Sequence, residues 1–307
     1  MEIPNNLKEI YRHWDNHLIT QNTQNQLDNI IINKDLEKDI LWFITERINI
    51  WEKKVTNKKT PYTNDIILSR YRFCNIFREF DRQTIEFHTL LNPIRNDFEL
   101  WLLNMFYCRM VARTETIKDI GLLSFDIDRN KIIYQKLIKY PRPKFGTPYV
   151  FPISTILKSK TPTRELFITK YLPKITNKIA SEISTWNKKS VYDGVEKILP
   201  IFGYNLKFLW TEVLIDVAYQ YPEYINLFKR FTIGPGSLPT LKRINPKKDP
   251  SFLVTKLSNS ELNTNLTYKN KQIQLSAENW EGIGCEFRKY TNLKSGNGRK
   301  RIFNKKI

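Results

Sequence analysis

From Asn96 to Val111 the chain is apolar on most sides of the helix it would form: Phe98, Leu100, Trp101, Leu102, Leu103, Met105, Phe106 and Met110 leave no broad polar face for water. A helix of that kind belongs inside a domain. Residues 204–219, YNLKFLWTEVLIDVAY, repeat the pattern, interrupted by Glu212 and Asp216 on one stripe. Two such helices need amphipathic ones around them, and the sequence supplies these. Asp35 to Trp51 places Leu36, Ile40, Phe43, Ile44, Ile48 and Trp51 on one side; Thr163 to Lys189, Val191 to Ile198 and Leu275 to Tyr290 follow, with Pro173 marking a break or a first turn. An amino-terminal helix is expected from Leu7 to Leu18. The fold class is therefore mainly α. Residues 1–34 form a helix and connector, 35–292 a helical domain and 293–307 a basic tail. The 41% hydrophobic and 13% aromatic content suffices for a sizeable core.

Other stretches constrain less. Leu122 to Asp126 and Ile132 to Leu137 fit strand or helix equally, and Asn245 to Asn270 is polar. KYPRPKFGTPYVFPIS reads as a long proline-rich loop with a small β-hairpin near Tyr149 to Ile153; Arg142, Lys144 and Tyr149 on it are candidate substrate contacts. His13 and His17, four apart, have a spacing that can bind metal on a helix, but without a neighbouring Glu or Cys the pair reads as chance. No cofactor motif is identified, and a divalent metal stays open as an alternative without a motif to support it.

Charge points to a partner. Of the formal net charge of +19, residues 229–307 carry +12, from 17 Lys and Arg against 5 Asp and Glu. A nucleic-acid backbone is the commonest counterpart of such asymmetry, with an anionic membrane, simple solubility and an AT-rich genome's Lys bias as competing readings. Cys74, Cys108 and Cys285 are odd in number and widely spaced, which suggests neither a disulfide framework nor a cysteine metal site. The amino terminus lacks the apolar run of a secretory signal, and no stretch reaches a membrane-spanning length. A soluble setting in cytoplasm or nucleus is the expectation.

Pro61 to Leu91, PYTNDIILSRYRFCNIFREFDRQTIEFHTLL, reads as a central helix starting near Asp65, capped by Thr63 or Asn64. Ile66, Ser69, Phe73, Ile76, Phe77, Phe80, Thr84 and Phe87 would make its core face. Arg72, Asn75, Glu79, Arg82 and Glu86 would make a second stripe, and Tyr71, Cys74, Arg78, Asp81 and Ile85 a third. Arg78 with Asp81 and Glu79 with Arg82 are then either ordinary i,i+3 ion pairs or the lining of a cleft.

PYTNDIILSRYRFCNIFREFDR closely resembles the signature of the helical domain found in 5-hydroxymethyl-deoxyuridine (5-hmdU) DNA kinases and in alpha-glutamyl-putrescinyl-thymine pyrophosphorylases, proteins that hypermodify DNA bases. RFTIGPGSLPTLKRI and GCEFRKYTNLKSGNGRKRIF match in the same order, and the three blocks span roughly residues 40 to 303. Tyr62 and Cys74 depart from the usual tryptophan and threonine. The resemblance implies a DNA-glycosylase-like multi-helix domain with a helix-hairpin-helix-like Gly-Pro-Gly turn. It also implies action on a pyrophosphorylated 5-hydroxymethyl pyrimidine in DNA, whose pyrophosphate is displaced by the amine of an amino acid or polyamine. No G-x-x-x-x-G-K-[ST] occurs, so phosphorylation would fall to a separate 5-hmdU DNA kinase.

The candidate residues follow from those demands. A flipped base needs an aromatic-walled pocket, for which Tyr71, Phe73 and Tyr149 are available. Leaving pyrophosphate needs fixed positive charge, offered by Arg72, Arg78 and Arg82. The attacking amine must be neutral, so Glu79 or Asp81 would be its base, with Asn75 on the same stripe and Asp65 or Asp216 holding the amine. For Asp216, pairing with an arginine of the central helix or capping a turn is the structural alternative. Gly234, Pro235, Gly236, Lys242 and Arg243 would grip DNA phosphates through turn N–H groups and charge, joined by Lys289, Arg299, Lys300 and Arg301. Cys285 and Glu286 are substrate contacts by position. A helix-hairpin-helix glycosylase and a non-catalytic DNA-binding module remain the alternatives.

Overall fold

The computed structural model describes residues 1–19, 30–146, 161–260, 262 and 264–298. In chain order the helices are α1 (Asn5–Ile10), α2 (Lys34–Val55), α3 (Ile66–Arg70), α4 (Arg82–Leu91), α5 (Phe98–Val111), α6 (Thr114–Ile120) and α7 (Ile127–Lys139). After these come α8 (Arg164–Leu166), α9 (Leu172–Ser184), α10 (Val191–Phe202), α11 (Lys207–Gln220), α12 (Leu238–Ile244), α13 (Pro250–Ser258) and α14 (Ala277–Lys294). A two-stranded antiparallel hairpin, β1 (Thr267–Tyr268) and β2 (Lys271–Gln272), pairs Thr267 with Gln272. The protein is mainly α, as its patterning requires. Several helices start at a short oxygen side chain: Asn33 accepts from Leu36 N–H (2.9 Å), Asp97 from Leu100 N–H (3.0 Å), and Ser276 forms a capping box with Asn279. No helix among the described residues is long and apolar enough to cross a membrane.

The chain divides into two units: Met1–Lys8, Trp14–Asp81 and Leu227–Ile307 in one, Glu9–His13 and Arg82–Asn226 in the other. The second unit is built around α5 and α11, which pack on each other. Every residue of α5 from Trp101 to Val111 is buried, as is every residue of α11 from Leu209 to Gln220. Burying α5 also buries Arg109, and its guanidinium is neutralised from α11. Nε and Nη2 donate to the two oxygens of Asp216 at 2.6 Å each, and His88 of α4 meets the same carboxylate at 3.0 Å. Asp216 therefore pairs with Arg109 and His88 and not with an arginine of the 61–91 stretch. Burial alone would raise its pKa, but the Arg109 charge and these hydrogen bonds hold it below the usual carboxylate range. Pro173 does sit in the first turn of α9, preceded by one π-helical segment, Phe167–Tyr171.

In the first unit α14 is the hub, packing on α2, α3, α12 and α13. Its buried Trp280, Ile283, Phe287 and Tyr290 form the contact face, and Phe43 of α2 lies 5.6 Å from Phe287 and 5.4 Å from Tyr290 between ring centres.

Several expectations need correction. The 61–91 stretch is not one helix: α3 ends at Arg70, residues 71–77 are non-helical, a 3-10 turn covers Arg78–Phe80, and α4 begins at Arg82. Its stripes therefore do not exist; Ile66, placed on the core face, is 74% exposed. The Leu7–Leu18 helix is α1 followed by a 3-10 turn at Trp14–His17, so His13 and His17 share no helix, and they fall in different units. The second ambiguous stretch is helical, inside α7, and the polar 245–270 segment contains α13. Tyr149 to Ile153 lies outside the described residues; the hairpin observed is at 267–272.

Candidate functional site

The break between α3 and α4 builds the site. Asp65 caps α3 by accepting from Leu68 N–H (2.8 Å), and its second oxygen accepts from Tyr290 Oη of α14 (2.9 Å). Helix then stops, because the next backbone groups find other partners. Both the N–H and the side-chain amide of Asn75 donate to Asp81 Oδ1 at 2.9 Å, a local closure that competes with i to i−4 bonding. Arg47 of α2 donates to the carbonyls of Phe73 (3.2 Å) and Cys74 (2.9 Å), Glu286 accepts from Cys74 N–H (3.0 Å), and Lys289 Nζ donates to the Arg72 carbonyl. An extended loop is thus held against α2 and α14 by their charged side chains.

Those charges are concentrated. Arg78 lies 3.7 Å from Glu278, a carboxylate only 1% exposed, and Lys289 lies 3.4 Å from Glu286 and 4.6 Å from the Phe73 ring centre. Burial pushes the Asp81 carboxyl up to about 6, against the pull of the Asn75 hydrogen bond and of Arg78, and Glu286 adds to the rise. Its Oδ2 takes no hydrogen bond from a described residue. Asp81 can therefore exchange a proton near neutral pH with one oxygen available. Burial, then Glu286, pushes the Cys285 thiol up to about 11, so Cys285 stays protonated and is a poor nucleophile.

The Gly-Pro-Gly turn meets the same helix. Gly234 N–H (3.0 Å) and Ser237 Oγ (2.7 Å) both donate to Glu281, and Arg288 donates to the Pro235 carbonyl (3.0 Å). The Gly234 N–H expected to hold a phosphate is thus engaged by a carboxylate of the protein. Residues 221–237 contain no helix, so the turn joins irregular chain to α12 and lacks the first helix of a helix-hairpin-helix. Gly236 is required by close approach: a Cβ there would stand 2.6 Å from Cys285 Sγ. Lys242 and Arg243 are exposed on α12.

All three sequence blocks therefore converge on α14, bringing together Arg72, Asn75, Arg78, Asp81, Cys285, Glu286, Lys289 and the Gly-Pro-Gly turn. Arg72 contributes its carbonyl, and its side chain is exposed. Glu79 is buried in the 3-10 turn. Asp65 serves as a cap and anchor. Arg82 belongs to the other unit, with its side chain 85% exposed and paired to Glu86 at 2.7 Å; Asp216 is in that unit too. The i,i+3 pairs expected within the stretch give way to Arg78 with Glu278 and Arg82 with Glu86. Lys144 pairs with Glu165 (2.7 Å), also in the second unit. Tyr149, Arg299, Lys300 and Arg301 lie outside the described residues. Tyr71 and Phe73 line a cavity of about 510 Å³.

Sequence reading missed Arg47, Glu278 and Glu281. Arg47 had a visible signal, an arginine seven residues after Ile40 on the apolar stripe of α2. Glu278 and Glu281 had none, because their partners are distant in sequence.

Comparison with known proteins gives two findings. Residues 34–300 match the family described as 5-hmdU DNA kinase, helical domain. A curated protein of Bacillus phage SP10, named 5-hmdU DNA kinase, is 27% identical over an alignment of 333 residues that covers 93% of this chain and 50% of that protein. The chain thus spans about half the length of this relative. No solved structure matches significantly.

Proposed function

The chain belongs to the 5-hmdU DNA kinase helical-domain family, and from that premise we propose that it modifies a 5-hydroxymethyl pyrimidine in DNA by amine transfer. The substrate carries a pyrophosphorylated 5-hydroxymethyl group. A bond forms between the amine nitrogen and the 5-methylene carbon as the carbon–oxygen bond breaks; pyrophosphate leaves with the electron pair, and the amine's proton passes to a base. The observation that carries this reading is the convergence of three sequence blocks on α14, with Asp81 tuned to about 6 in the field of Arg78 and Arg47.

Asp81 takes the proton through its available oxygen. Arg78 and Lys289 supply fixed positive charge where negative charge develops, and Glu278 and Glu286 hold them in place. Tyr71 and Phe73 receive the base once it leaves the stack. Mass spectrometry of nucleosides tests this, using DNA from cells that make 5-hydroxymethyluracil and phosphorylate it. The expected result is a new amine adduct that depends on this protein and disappears with Arg78→Ala, while circular dichroism shows the variant folded. Unchanged nucleosides alongside intact, salt-sensitive DNA binding would replace the reading with a binding module.

A further inference from the structure

Helix α2 carries a cation on its buried side. Arg47 is 4% exposed, yet no carboxylate lies within ion-pair distance of it among the described residues, and its Nε has no hydrogen-bond partner among them. Its Nη2 is spent on the Phe73 and Cys74 carbonyls. Glu286 and Asp81 act on Arg47 only from beyond ion-pair distance. A guanidinium withdrawn from water with no anion in direct contact is costly, and the cost falls when a ligand supplies one. The 510 Å³ cavity has that character: among the described residues lining it, Arg47, Lys54 and Arg70 are cationic and none is acidic. The volume falls in the range of small-ligand pockets, roughly 300–1,000 Å³.

Its walls are aromatic. Tyr62, Tyr71 and Phe73 line it; the Arg47 guanidinium lies 5.6 Å from the Phe73 ring centre and Lys54 Nζ 5.9 Å from that of Tyr62. Three cations with three rings disfavour an amine and suit a planar ring bearing phosphate.

We propose that this cavity seats the pyrophosphorylated arm of the pyrimidine, with Arg47 and Lys54 holding the pyrophosphate and Tyr62, Tyr71 and Phe73 enclosing the ring. The identity of the ring rests on the amine-transfer reading; the anion seat rests on the cavity alone. Arg47 bonds the Phe73 and Cys74 carbonyls and also acts electrostatically on Asp81, which links an anion held there to the group that takes the amine's proton.

Calorimetric titration of the whole protein with inorganic pyrophosphate tests the seat in wild type, Arg47→Lys and Lys54→Gln. Wild type should bind. Each variant should bind about tenfold more weakly or worse, since Lys54→Gln loses a charge-assisted contact and Arg47→Lys loses the planar donor fork that meets phosphate oxygens in pairs. Binding that is absent in wild type, or equal in wild type and both variants, overturns the proposal. Lys54 lies on the exposed end of α2, so Lys54→Gln decides the matter if Arg47→Lys melts early. Nucleoside analysis separates the two claims. Transfer that persists while pyrophosphate binding ignores both variants removes the seat and keeps the function; binding lost in both variants with no adduct formed by wild type removes the function and keeps the seat.

Discussion

Asp81 is the residue on which geometry and chemistry meet. Its folded-state pKa of about 6 stands above the ordinary 3.8, so the native protein holds that proton more tightly than the unfolded chain. The contribution to stability is fully present below about pH 4 and is lost as pH rises through 6. At neutral pH Asp81 is ionised and destabilising, which is the condition a proton acceptor needs. Asp81→Asn keeps the acceptor oxygen for Asn75 and removes the charge. It should raise stability at pH 7 by on the order of 1–2 kcal/mol in denaturant titration while lowering transfer by about 10²–10⁴-fold. Loss of both stability and activity would mark Asp81 as structural. Asp216 was, like Asp81, a candidate carboxylate in the sequence, but Arg109 and His88 occupy both its oxygens and hold it below the usual carboxylate range.

Among elements, α14 does the most and was read with least detail. Its existence was legible from the apolar spacing of Trp280, Ile283 and Phe287. What it touches was not, since Glu278, Glu281 and Glu286 bond residues from about 40 to over 200 positions away. The packing of α12 on α14 depends on Gly236 and Cys285. Gly236→Ala should cost about 1–3 kcal/mol through overpacking, and adding Cys285→Ala should recover most of it, as a double-mutant cycle by thermal melting would read. Additive losses would place the strain elsewhere. The α3–α4 break shows the opposite limit of reading a sequence by period. Residues 61–91 satisfy a helical pattern, but Asn75, Asp81, Arg47, Glu286 and Lys289 offer the backbone better-placed partners than its own fourth neighbours, so tertiary contacts override the local preference.

For the whole molecule the excess charge predicts how it meets DNA. Under the proposed function, affinity falls as salt rises, and replacing exposed Lys242 and Arg243 together by Ala should weaken binding to all sequences and reduce the log–log salt slope by about 2. Lys207, paired with Glu196 at 2.7 Å, serves as the control: Lys207→Ala should leave the slope unchanged in a filter-binding or anisotropy titration. An unchanged slope in the double variant would remove α12 from the DNA surface. Sequence by itself determined that α5 and α11 are buried, roughly where several helices such as α2, α10 and α14 start, and that three blocks belong together; the cap of α3 is Asp65 and not Thr63 or Asn64. Burial follows from side-chain polarity, and caps follow from the chemistry of one residue and its neighbours. Only tertiary structure decided that the signature is broken, that the Gly-Pro-Gly turn is closed by Glu281, and that Arg47 faces a cavity without a carboxylate. Each depends on which distant side chain arrives at a given backbone group, and no local period encodes that.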